Sequence, residues 1–328
     1  MKCISKYVLC GLLTAALLTA SGCGSKAAVI KNPYPVYSTA TADALISTGE
    51  RGTQSYFATD LCVGGIENTG LENTDEQVCE GAGLFNTATG TIPYAKNIYE
   101  KLYPASTTKI LTCYLALQYG NLDDVVTVSQ NAANMASDSS VCGLKAGDQI
   151  TLRDLLYGLM MRSGNDAAVA IAEHISGDTD TFAGLMNMTA ASLGATGSHF
   201  VNPNGLPDDD HYTTVYDLYL IFNAAIQNET FLEILKTTDY TANYTDVAGN
   251  PVSQDWTSTN KYLAGTETAP DGITVLGGKT GTTGEAGYCL VLLSQNTAGQ
   301  NLISIVLKAD CRDNLYLLMN EMLRQYGN

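Results

Sequence analysis

The chain is poor in histidine and in basic residues, and both shortages limit what it can do. Only three of its 328 residues are histidines. None of them pairs with a cysteine or a carboxylate at metal-ligand spacing, so we expect no metal centre and no cofactor. Seventeen lysines and arginines stand against 33 acidic residues, which gives a formal net charge of −16 at pH 7. Such a chain repels phosphate backbones, so we expect no nucleic-acid partner.

Apolar runs are scarce, and the one near the start, residues 7–20, is too short for a comfortable membrane span. It follows Lys2 and Lys6 and precedes small residues and Cys23, which is the layout of a secretory signal. The segment before Cys23 resembles a bacterial lipobox, although Ala20 stands where the usual pattern has leucine. The resemblance implies a lipoprotein signal peptide in residues 1–22 and diacylglycerol on Cys23. The alternative is ordinary secretion, with Cys23 an incidental thiol.

A lipid on Cys23 would anchor the chain to the outer face of the bacterial cytoplasmic membrane, because two acyl chains suffice for stable anchoring. Residues 23–52 are rich in Ser, Thr, Ala and Gly, contain Pro33 and Pro35, and show no regular period. They predict a lipidated tether. Residues 53–328 predict one folded domain.

Six further cysteines in the predicted exported part could form up to three disulfides. They are Cys62, Cys79, Cys113, Cys142, Cys289 and Cys311. Cys62 and Cys79 flank an insertion, residues 64–78, between two strand-like runs and are the first candidate pair. Cys113 falls on an apolar helix face, where it can be a small buried hydrophobe.

Hydrophobic periodicity predicts strands at both ends of the domain and helices in the middle. The predicted strands are 56–65, 80–96, 273–276, 287–293 and 302–307; the predicted helices are 106–119, 214–225, 312–326 and several within 151–194. Residues 237–272 are polar and predict irregular structure. The expected fold class is α+β: an antiparallel sheet of about five strands from both termini, flanked by helices, with an inserted all-helical subdomain.

The first motif, Ser106-Thr107-Thr108-Lys109, puts a hydroxyl and an amine three residues apart at a predicted helix start. Side chains at that spacing can meet. A serine hydroxyl needs a nearby base to become a nucleophile, and a lysine amine can be that base when burial or a neighbouring cation lowers its pKa. An isolated motif of this kind is more often a helix cap with an exposed lysine.

Two later motifs make the catalytic interpretation of Ser106 stronger. Ser163-Gly164-Asn165 offers a hydroxyl and an amide on a predicted tight loop, although an ordinary helix–helix turn has the same composition. Lys279-Thr280-Gly281 places a cation and a hydroxyl inside an apolar strand-like run. A lysine there is unusual, and these groups suit a carboxylate. The three motifs in this order indicate active-site serine chemistry on acyl groups.

With Pro104-Ala105 before the first motif and Thr282 after the third, the chain resembles the penicillin-binding D-alanyl-D-alanine carboxypeptidases. These serine peptidases share the fold of class A β-lactamases. The segment Asn202-Pro203-Asn204-Gly205-Leu206, followed by His211-Tyr212-Thr213-Thr214 and Asp217, is also typical of them. The resemblance covers nearly all of the predicted domain, which it identifies as a catalytic domain.

The resemblance implies that Ser106 attacks the carbonyl between the two terminal D-alanines of a peptidoglycan stem peptide. It implies that Lys109 takes the proton of Ser106 and that Ser163 and Asn165 assist. The substrate-binding residues that it implies are Lys279, Thr280, Gly281, Thr282 and Arg312. Among these, the backbone N–H of Thr282 joins that of Ser106 in an oxyanion hole. The implied partners are stem peptides ending in D-Ala-D-Ala and β-lactams, which acylate the same serine.

Two alternatives stay open beside the carboxypeptidase. A class A β-lactamase would carry Ser-Asp-Asn at the second motif and a Glu-x-x-Leu-Asn loop, whereas this chain has Gly164 and its Glu229 and Glu233 fit no such loop. A catalytically silent peptidoglycan-binding lipoprotein would have little need of an intact Ser106, Lys109 and Lys279.

Overall fold

A computed structural model describes residues 61–328. The predicted signal peptide (1–22), the lipidation site Cys23, the tether (23–52) and the first part of the predicted domain (53–60) lie outside the described residues and stay predictions. Within the described part, no helix combines the length and the apolar character that a membrane span needs.

The described residues form α-helices and antiparallel strands, in agreement with the predicted α+β class. The strands are β1 (Gly81–Asn86), β2 (Thr91–Lys96), β3 (Val125–Thr127), β4 (Gln149–Thr151), β5 (Asp239–Thr245), β6 (Pro251–Thr257), β7 (Thr274–Thr283), β8 (Gly287–Gln295) and β9 (Asn301–Ala309). The helices are α1 (Lys109–Tyr119), α2 (Gln130–Ala133), α3 (Leu152–Tyr157), α4 (Asn165–Ser176), α5 (Thr179–Ser192), α6 (Val215–Ala225), α7 (Glu229–Lys236) and α8 (Arg312–Tyr326).

The main sheet has five strands in the order β2-β1-β9-β8-β7, so strands from both ends of the described chain meet in it, as predicted. The predicted meander of three strands is confirmed as β7, β8 and β9. The predicted strand 80–96 is instead a hairpin, because the chain reverses at Gly90, whose φ of 68° suits a tight turn. Residues 61–65 form no strand, so that prediction was wrong for the part the structure describes.

The inserted part carries the predicted helices but also a second sheet of four strands, in the order β3-β4-β5-β6. The prediction of an all-helical insertion was therefore wrong in this respect. The hairpin of β5 and β6 lies in the segment expected to be irregular. Its turn is held by Asp246, whose Oδ1 accepts from Ala248 N and Asn250 N, and its inner face buries Ala242, Tyr244 and Trp256. The outward positions of this hairpin carry residues such as Thr241 and Asn243, which are common in loops. The alternation typical of a strand was therefore not recognised in the sequence.

Apolar side chains of the main sheet alternate between two hydrophobic cores, one on each face, as the period of a strand requires. Val291 and Ile305 belong to the larger core, which holds α1 and α6, while Leu292 and Val306 belong to the smaller one under α8. β7 is the last strand of this sheet and pairs with β8 on one side. That arrangement leaves the outer edge of β7 available to the site described below.

The six cysteines in the described residues are all free thiols, so the predicted disulfides are not formed. The candidate pair is separated by the sheet, since Cys62 belongs to the larger core and Cys79 to the smaller one. Their thiols donate instead to the carbonyl oxygens of Asn86 and Glu76. Cys113 is fully buried in the larger core, which confirms its role as a small hydrophobe.

Candidate active site

Ser106 and Lys109 meet at the start of α1. A 3-10 turn, Ala105–Thr108, precedes the helix and puts the two residues on one face, with Lys109 Nζ 2.9 Å from Ser106 Oγ. The residue before the serine, Ala105, has a φ of 47°, in the left-handed region that a non-glycine residue rarely adopts. The turn therefore presents the hydroxyl through a strained backbone, a feature that clusters at functional sites.

The Lys109 amine is completely buried and surrounded by oxygen atoms. Its Nζ lies 2.7 Å from Asn165 Oδ1 and 2.6 Å from the carbonyl oxygen of Asn204. Burial, followed by the charge of Lys279, holds the pKa of Lys109 well below its usual value. As a neutral amine, Lys109 can donate to these two oxygens and keep its lone pair for the proton of Ser106.

Ser163 and Asn165 lie at a break between two helices. A π-helical turn, Gly158–Arg162, ends at Ser163, whose φ of 58° is again left-handed, and Asn165 begins α4. This break turns both side chains towards the lysines, with Asn165 on Lys109 and Ser163 Oγ 2.9 Å from Lys279 Nζ. The loop predicted from Ser-Gly-Asn therefore joins the first and third motifs.

Asp166, which the sequence interpretation did not single out, stabilises this break between the two helices. Its buried carboxylate accepts from the backbone N–H groups of Cys142, Gly143 and Leu144 at 2.9 to 3.0 Å. Asn165 N also donates to the carbonyl oxygen of Ser140 at 2.8 Å. These bonds hold the loop before β4 along the cleft. The available sequence signal was only an acid in the first turn of a helix, which has an ordinary explanation in the helix dipole.

The third motif lies on the edge strand β7. Lys279 is completely buried, and its Nζ donates to Ser163 Oγ at 2.9 Å and to the carbonyl oxygen of Thr280 at 2.8 Å. Burial lowers the pKa of Lys279 to about 7. A side-chain carbon on Gly281 would come within 2.9 Å of Ser106 N. Glycine thus allows β7 to pack directly against the nucleophile turn, which is the 3-10 turn Ala105–Thr108 that carries Ser106.

Ser106 lies between two hollows of one cleft. A hollow of about 330 Å³ is lined by Ser106, Ser163, Thr259, Lys261, Thr280, Gly281, Thr282 and Arg312, among others. A hollow of about 410 Å³ on the other side is lined by Ser106, Asp138, Asn165, Asn204, Thr282 and Glu285, among others. Arg312 is exposed, with its guanidinium 5.8 Å from the ring centroid of Tyr288. The structure thus brings every predicted site residue together except Cys23, which lies outside the described residues.

The segment between α5 and α6, which includes Gly205 and His211, packs against the nucleophile turn. His211 is fully buried, its Nδ1 accepts from Val201 N at 3.1 Å, and its Nε2 lies 2.9 Å from Thr108 Oγ1. Burial lowers the pKa of His211 to about 4, so the ring is neutral and its Nε2–H donates to Thr108. Gly205 has a φ of 85°, and a side-chain carbon there would lie 1.8 Å from the carbonyl oxygen of Ala105.

The buried Lys279 predicts a dependence of stability on pH. Its pKa is lowered to about 7 in the folded protein and returns to about 10.4 in the unfolded chain. Between these values the unfolded state binds more protons, so this residue adds stability as the pH rises. We expect wild type to gain up to about 1.4 kcal/mol per pH unit over Lys279→Met between pH 7 and 10. Urea unfolding of both proteins at several pH values measures this, and parallel curves would contradict it.

No group of three or more histidine, cysteine or acidic side chains in residues 61–328 is arranged to hold a metal ion.

The chain is similar in sequence to known D-alanyl-D-alanine carboxypeptidases. The family model of D-alanyl-D-alanine carboxypeptidases of peptidase family S11 matches residues 71–311. The D-alanyl-D-alanine carboxypeptidase DacF of Bacillus subtilis is 36% identical over 236 residues, which cover 70% of this chain and 57% of DacF. The D-alanyl-D-alanine carboxypeptidase of Streptomyces sp. strain K15 is 35% identical over 238 residues, which cover 69% of this chain and 79% of that relative.

The crystal structure of the Streptomyces K15 DD-transpeptidase superposes with a TM-score of 0.67 at 31% identity, covering 78% of this chain and 98% of that one. The chain spans little more than half the length of DacF but most of the K15 protein. The matched residues include all three motifs and the segment between Asn202 and Asp217. The chain belongs to the D-alanyl-D-alanine carboxypeptidase family of serine peptidases.

Proposed function

We propose that this protein is a serine-type D-Ala-D-Ala carboxypeptidase that removes the terminal D-alanine from peptidoglycan stem peptides. The observation that carries the proposal is the continuous contact Ser106–Lys109–Asn165 beside Ser163–Lys279. It joins a nucleophile, a buried amine of lowered pKa and a second hydroxyl at the bottom of one cleft. Family membership supplies the substrate class.

In the acylation step, Ser106 Oγ attacks the carbonyl carbon of the D-Ala-D-Ala peptide bond and its proton passes to Lys109 Nζ. The lowered pKa of Lys109 makes this transfer possible near neutral pH. When the C–N bond breaks, the leaving amine takes a proton, which Ser163 relays from the lysines. D-alanine leaves, and the peptide stays on Ser106 as an ester until water hydrolyses it.

Substrate binding follows from the outer edge of β7. An extended peptide can lie along this edge, and Gly281 lets β7 come close enough to the turn of Ser106 to bring such a peptide to the nucleophile. The backbone N–H groups of Ser106 and Thr282 are proposed as the oxyanion hole. The terminal carboxylate lies in the smaller hollow, where Thr280 offers a hydroxyl and Arg312 a positive charge. Lys279 lies buried behind Thr280 and can add at most one further donor.

Penicillin tests this proposal because a β-lactam resembles D-Ala-D-Ala and leaves the attacking serine acylated. We expect intact-mass spectrometry of residues 24–328 to show one stable penicillin adduct on wild type, and we expect the same protein to release D-alanine from a peptide ending in D-Ala-D-Ala. Ser106→Ala should show neither. Ser192→Ala, which removes an exposed hydroxyl at the end of α5, is the matched control.

Two other outcomes would each favour one of the alternatives. Penicillin consumed without a lasting adduct would favour a β-lactamase. Penicillin left intact and no adduct would favour the silent peptidoglycan-binding lipoprotein. An adduct on Ser106→Ala would show that the nucleophile is a different residue.

We further propose that a lipid on Cys23 anchors the protein at the outer face of the bacterial cytoplasmic membrane. The support is the order of charged, apolar and small residues before Cys23. Expression in a bacterium fed labelled fatty acid should label wild type and leave Cys23→Ala unlabelled.

A further inference from the structure

Besides Arg312, the smaller hollow contains a second cation that lies outside the three motifs. Lys261 lines it together with Ser106, Thr280 and Arg312. It follows two residues after Thr259, whose Oγ1 is 2.8 Å from Thr280 Oγ1. The segment that carries Lys261 is thus joined by a hydrogen bond to the strand along which substrate is proposed to lie.

Lys279, the cation expected to meet the carboxylate, is already engaged. Its buried Nζ donates to Ser163 Oγ and to the carbonyl oxygen of Thr280. An ammonium has three donors, so one at most is left for a ligand. The cations that face the open hollow are Arg312 and Lys261.

The position of Lys261 is fixed from two sides. Its backbone N–H donates to Tyr316 Oη at 3.1 Å, and its Nζ lies 5.0 Å from the centroid of the Tyr316 ring. The Nζ also lies 3.4 Å from Asp313 Oδ1, on a side chain that is 92% exposed. Tyr316 and Asp313 both belong to the first turns of α8, as does Arg312, so the two cations flank the same helix start.

We propose that Lys261 is a specificity-determining residue that binds the terminal carboxylate of the substrate together with Arg312, in exchange for Asp313. This inference rests on the proposed function of the site. Asp313 holds Lys261 through an exposed contact, and such contacts contribute little to stability. A substrate carboxylate in the hollow offers the same chemistry under less exposure to water, where a charge-assisted hydrogen bond is stronger.

The exchange predicts opposite effects for two substitutions. Lys261→Gln should raise KM about tenfold for a peptide ending in D-Ala-D-Ala, with kcat little changed, because it removes one partner of the carboxylate. Asp313→Asn should lower KM, because it removes the competing carboxylate. In the double variant Lys261→Gln/Asp313→Asn, the gain from Asp313→Asn should be lost, since the two residues act on one contact.

The experiment compares an acylated D-Ala-D-Ala acid with its C-terminal amide, which has no carboxylate to bind. Release of D-alanine or D-alaninamide is measured for wild type and the three variants. Lys308→Gln, which breaks a surface ion pair of 2.7 Å with Glu80, is the control for a general loss of positive charge. The effects of Lys261→Gln and Asp313→Asn should be seen with the acid and be absent with the amide.

Direct binding separates this inference from the proposed function. In the Ser106→Ala background, calorimetry should show tighter binding of the acid than of the amide, and Lys261→Gln should reduce that difference about tenfold, leaving the part that Arg312 contributes. Equal losses for acid and amide, or weaker binding with Asp313→Asn, would overturn the role of Lys261. A wild type that releases no D-alanine would overturn the carboxypeptidase and leave the binding comparison to decide on Lys261.

Discussion

Lys109→Met is expected to reduce acylation by penicillin, and release of D-alanine, by about 10³-fold or more, because it removes the base in contact with Ser106. Methionine matches the length of the lysine and carries no charge. The fold should accept it at a cost of about 1–3 kcal/mol, because burial already disfavours the charged form of Lys109, whereas Asn165 Oδ1 and the Asn204 carbonyl lose a donor. The expected result is a folded protein that is almost inactive. The acylation rate, measured with a fluorescent penicillin, and the midpoint of urea unfolding report the two properties separately.

Lys236→Met is the matched control, because Lys236 is an exposed lysine at the end of α7. It should leave both rates unchanged. If Lys109→Met were acylated at the wild-type rate, Lys109 would not be the base. Lys279, whose Nζ donates to Ser163 Oγ in the same cleft, would then be the next candidate.

Gly205→Ala is expected to impair folding and acylation together. Its φ of 85° alone disfavours alanine, and the new carbon would lie 1.8 Å from the carbonyl oxygen of Ala105. Relief of that overlap requires a shift of about 1 Å in the backbone next to Ser106, and a misplacement of this size can cost about 10²-fold in rate. We expect the free energy of unfolding to fall by about 3 kcal/mol or more.

Gly177→Ala separates the two causes of this loss. Gly177 has a φ of 87°, and nothing lies within 4 Å of the position that a side-chain carbon would take. This variant carries the conformational cost of about 1 kcal/mol without the collision. Equal losses of stability in Gly205→Ala and Gly177→Ala, with acylation unaffected in both, would show that the loop holding Gly205 does not position the nucleophile.

The sequence predicted those parts of the site whose chemistry is local. Ser106 and Lys109 lie one helical turn apart, so their contact follows from spacing alone, and the edge strand with its lysine follows from an apolar run interrupted by a charge. The fold class and the three-strand meander were predictable for the same reason, since strand periodicity is a property of neighbouring residues.

What the sequence did not reveal depends on distant contacts. The clamp of Asp166 on residues 142–144, the support of Thr108 by His211 and the Asn204 carbonyl on Lys109 each join residues far apart in the chain. Spacing also could not show that a sheet separates Cys62 from Cys79. The β5–β6 hairpin escaped because its outward positions carry Thr and Asn, which are as common in loops as in exposed strands.

Because Lys109 and Lys279 must be buried for their pKa values to fall, Ser106 can become a nucleophile only after the cleft has formed. Ser163 and Lys279 are 116 residues apart in the chain, so their contact requires both parts of the molecule to have docked. Before that, each lysine is solvated and protonated with a pKa of about 10.4, and Ser106 has no base. On the proposed mechanism, an unfinished or locally opened chain would therefore carry every catalytic side chain and still be inert towards acyl groups. Hydrolysis would then be confined to molecules that have completed their cleft.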